Sequence, residues 1–279
     1  MKTKSLLVQL RPRAFTWWRA LSIFGPLLDE FVQWMADRAL TFANGPSLAA
    51  KHSRPGRAVV ETRTTTIDDG DIASRADTCT TARVRAVVVS RIDPRKGLRV
   101  LPAVVRQVLD AGVDLSLDVI GPAVGAPGED ERRAIAAASS QYGVADRVSL
   151  VGAVPLEQLL PMYARYDLFV LPTLPGEGIP RVLLEAMSAG LPVVTTRTAG
   201  IPGLVQHELN GLLVDEPSSD AIARAVLTIV RDATLRRRLI ANGYDTARAH
   251  TLRGQAARMA STLTRELRLP LRAATVAAR

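Results

Sequence analysis

Hydrophobic and polar positions along this chain fall into two regimes. From Val84 onward, short continuous apolar runs alternate with longer stretches in which apolar residues recur at helical spacing. The short runs are VRAVVVS (84–90), LSLDVIG (115–121), VSLVG (148–152), LFVLP (168–172) and PVVTT (192–196). Continuous runs rich in β-branched residues are expected of parallel strands buried on both faces. Between them, residues 97–112, 129–141, 155–166 and a segment opening near Pro180 predict helices, and from Ser218 the chain reads as almost wholly helical. Strands alternating with helices of about ten to fifteen residues predict βαβ units with right-handed crossovers around a parallel sheet. The expected fold class is α/β, a Rossmann-like doubly wound parallel sheet.

Before Val84 the rhythm is absent. Residues 35–44 read as a helix end running into a short strand, with Asn44-Gly45-Pro46 as a turn, and residues 59–67 alternate like an edge strand. Residues 68–82 (DDGDIASRADTCTTA) are small and polar without periodicity, which marks a linker. The pattern divides the chain into a 1–67 segment, a 68–82 linker, an 83–250 α/β domain and a 251–279 helical extension. Residues 14–36 hold Phe15, Trp17, Trp18, Phe24, Phe31 and Trp34. Arg19, Asp29 and Glu30 interrupt this run short of the roughly 20 apolar residues that a membrane span needs. Two readings stay open for it: an interfacial anchor lying on a membrane surface, or an amphipathic helix packed on a partner domain. Residues 1–13 are basic, but their apolar part is short and lacks a small-residue cleavage site, so no signal peptide is expected.

Composition narrows the chemistry. A chain of 279 residues with 47% hydrophobic content can bury a substantial core. One cysteine, Cys79, excludes an intramolecular disulfide and a cysteine metal cage, and His52, His207 and His250 form no recognisable metal-ligand spacing. No metal site is expected. The net charge of +9 lies at the ends: residues 1–57 carry nine Lys/Arg against three Asp/Glu, and residues 231–279 carry eleven Arg against three acids. The slightly acidic middle and the absence of a nucleic-acid motif argue against a nucleic-acid partner.

Candidate chemistry concentrates in PTLPGEGIPRVLLEAMSAGLP (172–192). A buried strand ends at Pro172, a Gly/Pro-rich turn carries Glu177, and a helix starting near Pro180 carries Glu185 before Gly190 and Pro192 stop it. Proline suits a first helical turn, and the free amides and positive dipole end there favour an anion. Glu177 and Glu185, eight residues apart, would flank that site, so a phosphate and a polyol can both be held. The first strand ends in SRIDPRKG (90–97), a loop at the same carboxyl edge of the sheet, where doubly wound proteins bind ligands. There Arg91 offers a two-pronged guanidinium to phosphate oxygens, and Lys96 offers a point charge.

SRIDPRKG, VGAVPLEQL (151–159), YDLFVLP (166–172), EGIPRVLLEAMSAGLPVV (177–194) and NGLLV (210–214) together resemble the donor domain of retaining glycosyltransferases of family four, enzymes of GT-B fold that use nucleotide sugars. The resemblance spans roughly residues 35–268, and the two glutamates match that family's E-x7-E pattern. It implies that Arg91 and Lys96 neutralise the diphosphate leaving group. It implies that Glu185 accepts hydrogen bonds from ribose hydroxyls and that Glu177 sits near the donor sugar. Backbone from Val151 to Val154 would border the base, Gly121 would leave room for the nucleotide, and Gly178, Ile179, Arg181 and Val182 would line the donor turn. The implied substrate is a UDP- or GDP-linked sugar, with no metal or other cofactor. The implied product is a glycoside of retained configuration on a glycolipid or glycan hydroxyl, made in the cytoplasm or on the inner membrane face.

Two departures from the family pattern stand out. Pro180 occupies a position that is commonly glycine and has no N–H, so amide contacts fall to neighbours such as Ile179, Arg181 or Val182. The amino-terminal acceptor domain, with its glycine-rich loop and histidine, is represented only by its last helix and strand. Three explanations are open: a shortened or misassigned start, the donor half of a split enzyme completed through residues 14–36, or a noncatalytic nucleotide-binding or interaction remnant.

Overall fold

A computed structural model describes residues 28, 30–35, 37, 39–55, 59–175, 179–198 and 200–267. The chain divides into two compact units, Met1–Arg63 with Ala256–Arg279, and Thr64–Gln255. In the first, β1 (Phe42–Asn44) pairs in parallel with β2 (Val60–Thr62), Phe42 facing Val60. Helix α1 (Pro46–His52) links them; it begins with proline after Gly45, whose φ of 92° turns the chain into the helix. Of the residues expected to form an edge strand over 59–67, only Val60–Thr62 pair. Residues 30–35 are helical. Phe31 and Trp34 stack there at 6.0 Å, and each is 52% exposed. Phe15, Trp17, Trp18 and Phe24 lie outside the described residues.

The second unit is built on six parallel strands: β3 (Arg83–Val89), β4 (Asp114–Ile120), β5 (Val148–Gly152), β6 (Leu168–Leu171), β7 (Val193–Thr196) and β8 (Leu212–Val214), in the order β5-β4-β3-β6-β7-β8. This is the doubly wound order of Rossmann-like sheets, and it reverses between β3 and β6. The central strands are dry on both faces: Val87, Val88, Leu168, Phe169, Leu171, Val193 and Val194 are all buried. That explains why their sequences are continuous rather than alternating. Strand β8 is only three residues long, so its apolar run is too short to stand out.

The helices are α2 (Leu101–Asp110), α3 (Gly125–Gln141), α4 (Leu156–Met162), α5 (Val182–Ser188), α6 (Ser219–Arg231), α7 (Ala233–Arg248) and α8 (Leu252–Leu267). Two differ usefully from the pattern. The segment expected as one helix over 97–112 opens instead with left-handed Gly97 and a 3-10 turn, Leu98–Val100, after a preceding 3-10 turn at Pro94–Lys96. The segment over 155–166 is α4 followed by a 3-10 turn, Tyr163–Arg165, that swings Tyr163 wholly into the core. Side-chain caps fix the later helices: Ser218 accepts from the Ala221 amide and Asp232 from the Leu235 amide.

Residues 68–82 lack periodicity, yet their backbone is tied down. The Ala73 amide donates to the Ser188 carbonyl, and the Cys79 amide to Asp167, whose other oxygen accepts from the Arg85 amide at the start of β3. Asp77 receives the guanidinium of Arg236 through Nε at 2.6 Å and Nη2 at 3.1 Å. The remaining donor of Arg236 reaches the Ile229 and Val230 carbonyls at the end of α6. Burial alone would raise the Asp77 carboxyl. The hydrogen bonds from Arg236 and the Thr78 amide, with the charges of Arg236 and Arg237, outweigh it and hold the group below its ordinary value.

Candidate functional site

Because all six strands run parallel, their carboxyl ends share one edge, and the strand order reverses there between β3 and β6, the place where doubly wound sheets open a ligand crevice. The loop after β3 and the loop after β6 flank this switch point, and they are joined directly. The Leu174 amide and the Thr173 hydroxyl both donate to the Arg95 carbonyl, at 2.8 and 3.2 Å. Gly97 lies against Pro172 so closely that a Cβ would stand 2.1 Å from the Pro172 carbonyl oxygen. Its φ of 65° adds a second reason for glycine. The SRIDPRKG loop is therefore a fixed wall.

Its three cations have different surroundings. Arg95 turns back on Asp93 through Nε at 3.0 Å and Nη2 at 2.9 Å, so its charge is neutralised within the loop. These hydrogen bonds, joined by one from the Arg95 amide and the nearby charge of Arg91, pull the Asp93 carboxyl down to about 2. Arg91 is exposed beside the end of β3, whereas Lys96 is only 8% exposed. Arg91 and Lys96, the two residues singled out by sequence, therefore occupy the carboxyl edge; Arg95 serves the loop.

Gly121 ends β4 on the same edge. Its place is set by backbone: a Cβ would lie 1.9 Å from the Ser90 carbonyl oxygen, with φ at 141°. The glycine thus brings the ends of β3 and β4 together. Its amide donates to the Gly152 carbonyl at 2.7 Å, which joins β5 to the row. Val151 is 43% exposed at the end of β5, and Val154 packs partly against the core.

Beyond β6, Ile179, Arg181 and Val182 lead into α5. Glu177 and Gly178 lie outside the described residues. The Leu183 amide is bonded to the Pro180 carbonyl, and the Leu184 and Glu185 amides to that of Arg181. The start of α5 thus closes on itself from Leu183 onward, so amide contact with an anion falls to Ile179, Arg181 and Val182. Ile179 packs against Gly200, where a Cβ would meet its Cγ1 at 2.6 Å.

Glu185 is only 4% exposed. Its Oε1 accepts from the Thr66 hydroxyl at 2.5 Å and its Oε2 from the Tyr163 hydroxyl at 3.1 Å. Burial, reinforced by the charge and hydrogen bond of Glu185, raises the Tyr163 phenol far above its usual range, so it stays a donor. Sequence reasoning missed both partners. Thr66 stands 119 positions from Glu185, inside a polar stretch that reads as an edge strand. Tyr163 falls in a helical pattern where an aromatic residue signals packing.

The three histidines hold local positions. His52 meets Gln33, His207 accepts from the Leu213 amide at 3.1 Å, and His250 meets the Thr246 carbonyl. No group of three or more potential metal ligands occurs among the described residues.

Residues 80–246, more than half the chain, match the family described as Glycosyl transferases group 1. The chain is 35% identical over 160 residues to the GDP-mannose-dependent alpha-(1-6)-phosphatidylinositol monomannoside mannosyltransferase of Mycobacterium tuberculosis, covering 54% of this chain and 39% of that protein. It is 32% identical over 151 residues to the amylovoran biosynthesis glycosyltransferase AmsK of Erwinia amylovora, covering 52% of this chain and 36% of the relative. The matched region spans less than half the length of each. Among solved structures, Anabaena HepE in complex with UDP superposes with a TM-score of 0.70 at 21% identity, over 81% of this chain and 64% of that one, a likeness of fold. The chain belongs to the group 1 glycosyl transferases, and its six-stranded sheet is the Rossmann-like part of that family's architecture.

Proposed function

We propose that the Thr64–Gln255 unit binds the nucleotide sugar of a glycosyltransferase that moves a sugar from a UDP- or GDP-linked donor to a hydroxyl, with retention, in glycolipid or polysaccharide synthesis. The observation that carries this reading is the β3/β6 reversal at the carboxyl edge, where Arg91 and Lys96 stand on the rigid loop after β3 and α5 with Glu185 follows the loop after β6. As the bond between the anomeric carbon and the diphosphate breaks, negative charge grows on the leaving group. Fixed cations that meet this charge lower the barrier without reorganising. Arg91 and Lys96 take that role, and Arg181 with the amides of Ile179 and Val182 adds to it. Glu185 reads ribose hydroxyls, and Glu177 the donor sugar through the E-x7-E spacing. Gly121 and the backbone from Val151 to Val154 border the nucleoside. This reading requires no metal, because side-chain cations supply the electrostatic stabilisation.

The relatives named above support both the donor class and the synthetic role, since one is GDP-mannose-dependent and the other serves amylovoran biosynthesis. HepE, crystallised with UDP, leaves the uridine alternative open. The acceptor we assign to a glycolipid or glycan at the cytoplasmic membrane face, with Phe31 and Trp34 as surface contacts. Among the described residues no helix is long and apolar enough to cross a membrane.

Calorimetric titration of the chain with UDP and GDP, without added metal, tests the reading. Saturable binding of either nucleotide, weakened about tenfold in Arg91→Ala, is the expected result. No binding by folded protein would leave family membership intact but remove the donor-binding function.

A further inference from the structure

Among the described residues of the Thr64–Gln255 unit three acidic side chains are deeply buried, and one of them is held by hydroxyls. Glu131 receives Arg99 at 2.6 Å, and Asp167 receives two backbone amides with the Arg85 guanidinium nearby at 4.0 Å. Glu185 receives the Thr66 and Tyr163 hydroxyls. A buried carboxylate needs donors on both oxygens whether or not a ligand is present. The two donors differ in freedom. Tyr163 is wholly buried, set in a 3-10 turn with its ring against Phe169 of β6, so its hydroxyl is fixed. Thr66 is half-buried on a stretch without regular secondary structure, and a threonine hydroxyl can leave its acceptor by one χ1 rotation.

We infer that Thr66 is an internal stand-in for a ligand hydroxyl. In the nucleotide-free protein its O–H satisfies Oε1 of Glu185, and it yields that oxygen to a ribose hydroxyl when nucleotide binds, while Tyr163 retains Oε2. Thr66 then tunes specificity: a ribonucleotide must displace its bond and a dideoxy nucleotide need not, so the exchange narrows the preference for ribonucleotide that Glu185 confers. This inference rests on the donor-binding reading of the crevice.

The test is a comparison of UDP or GDP with the matching 2′,3′-dideoxy nucleotide by calorimetry, on wild type, Thr66→Val and Thr66→Ser. Valine keeps the shape and removes the competing O–H, so ribonucleotide should bind about tenfold more tightly than to wild type, with the dideoxy compound unchanged. Serine should restore the wild-type ratio. Equal shifts for both nucleotides, no shift, or weaker ribonucleotide binding in Thr66→Val would overturn the exchange while leaving nucleotide binding in place. Should valine prevent folding, Thr66→Ala carries the same expectation. A wild-type protein that binds neither nucleotide removes the donor-binding reading and this inference together.

Discussion

Asp77 and Glu185 are both carboxylates placed in the interior face of the same unit, and the molecule treats them in opposite ways. Asp77 is met by a guanidinium in a two-pronged grip, with a second arginine, Arg237, 3.7 Å away. Charge is cancelled where it stands, and Arg236 is further tied to two carbonyls. Glu185 is met by two neutral O–H groups instead of a guanidinium. An ion pair of the first kind fastens one segment to another. The second arrangement leaves a buried acid without a cationic partner, which is costly in a dry setting, and it stands where the proposed function puts the ribose. On the proposed function, then, Asp77 fastens the chain and Glu185 is held ready for a ligand.

The largest effect expected from that contrast is on stability. Asp77→Ala strands Arg236, 5% exposed, with only carbonyl partners. Breaking a buried pair from one side costs about 3 kcal/mol, which in a unit of this size lowers the melting temperature by roughly 10 °C. Nucleotide affinity, measured below the new transition, should stay within about twofold of wild type. A mutant of unchanged melting temperature would remove the fastening role.

Glu185→Gln inverts the pattern. Hydroxyls donate or accept by rotation, so Thr66 and Tyr163 can satisfy an amide, and the stability loss should stay under about 1 kcal/mol. Ribonucleotide binding should fall by about thirtyfold, the scale of a hydrogen bond to a charged group, while the 2′,3′-dideoxy compound changes little. Calorimetry and thermal melting on the same sample separate the two. Large losses of stability with no nucleotide bias would place Glu185 with Asp77.

Much of this was legible beforehand, for reasons that differ by element. Strands β3, β6 and β7 stand out because a strand buried on both faces is apolar nearly throughout, and β4 and β5 because their buried positions lie between turn signals. β8, three residues long, did not. The SRIDPRKG and E-x7-E segments were readable because the chemistry they offer lies within one loop or one turn and helix, where spacing is visible. Thr66 and Tyr163 were invisible because a hydroxyl partner is chosen by the fold across 119 and 22 positions. The role of Arg95 was also hidden. In sequence it is one of three equivalent cations, and only the side-chain geometry shows that Asp93 claims it.

Within that loop the same contrast recurs on a smaller scale, since Arg91 faces outward uncancelled and Arg95 does not. Arg91→Ala should weaken a nucleoside diphosphate about tenfold, one charge-assisted contact at an exposed site, and leave the bare nucleoside unaffected. Arg95→Ala should act mainly through the loop it braces, weakening diphosphate less than Arg91→Ala does. If the two variants lose affinity equally, for nucleoside as well as diphosphate, neither residue is a phosphate ligand.

The smallest effect is the acid titration of the brace itself. The Asp93 carboxyl is drawn from 3.8 to about 2 in the folded chain, first of all by the hydrogen bonds from Arg95. A carboxyl whose folded value is depressed contributes stability that is fully present above its unfolded value and is lost as pH falls through the folded one. The contribution from Asp93 is therefore complete above about pH 4 and declines towards pH 2. Because Arg95 is 43% exposed, solvent screens the pair, and its worth should be under about 1 kcal/mol. Asp77, also depressed, titrates in the same direction, so wild type alone cannot separate them. Urea midpoints of wild type and Asp93→Asn at pH 6 and at the lowest pH where both stay folded can: the gap between them should narrow as pH falls. A gap that is constant with pH would mean that asparagine disturbs the turn through its backbone capping of Arg95, and that the charge of Asp93 contributes nothing to holding Arg95 away from the crevice.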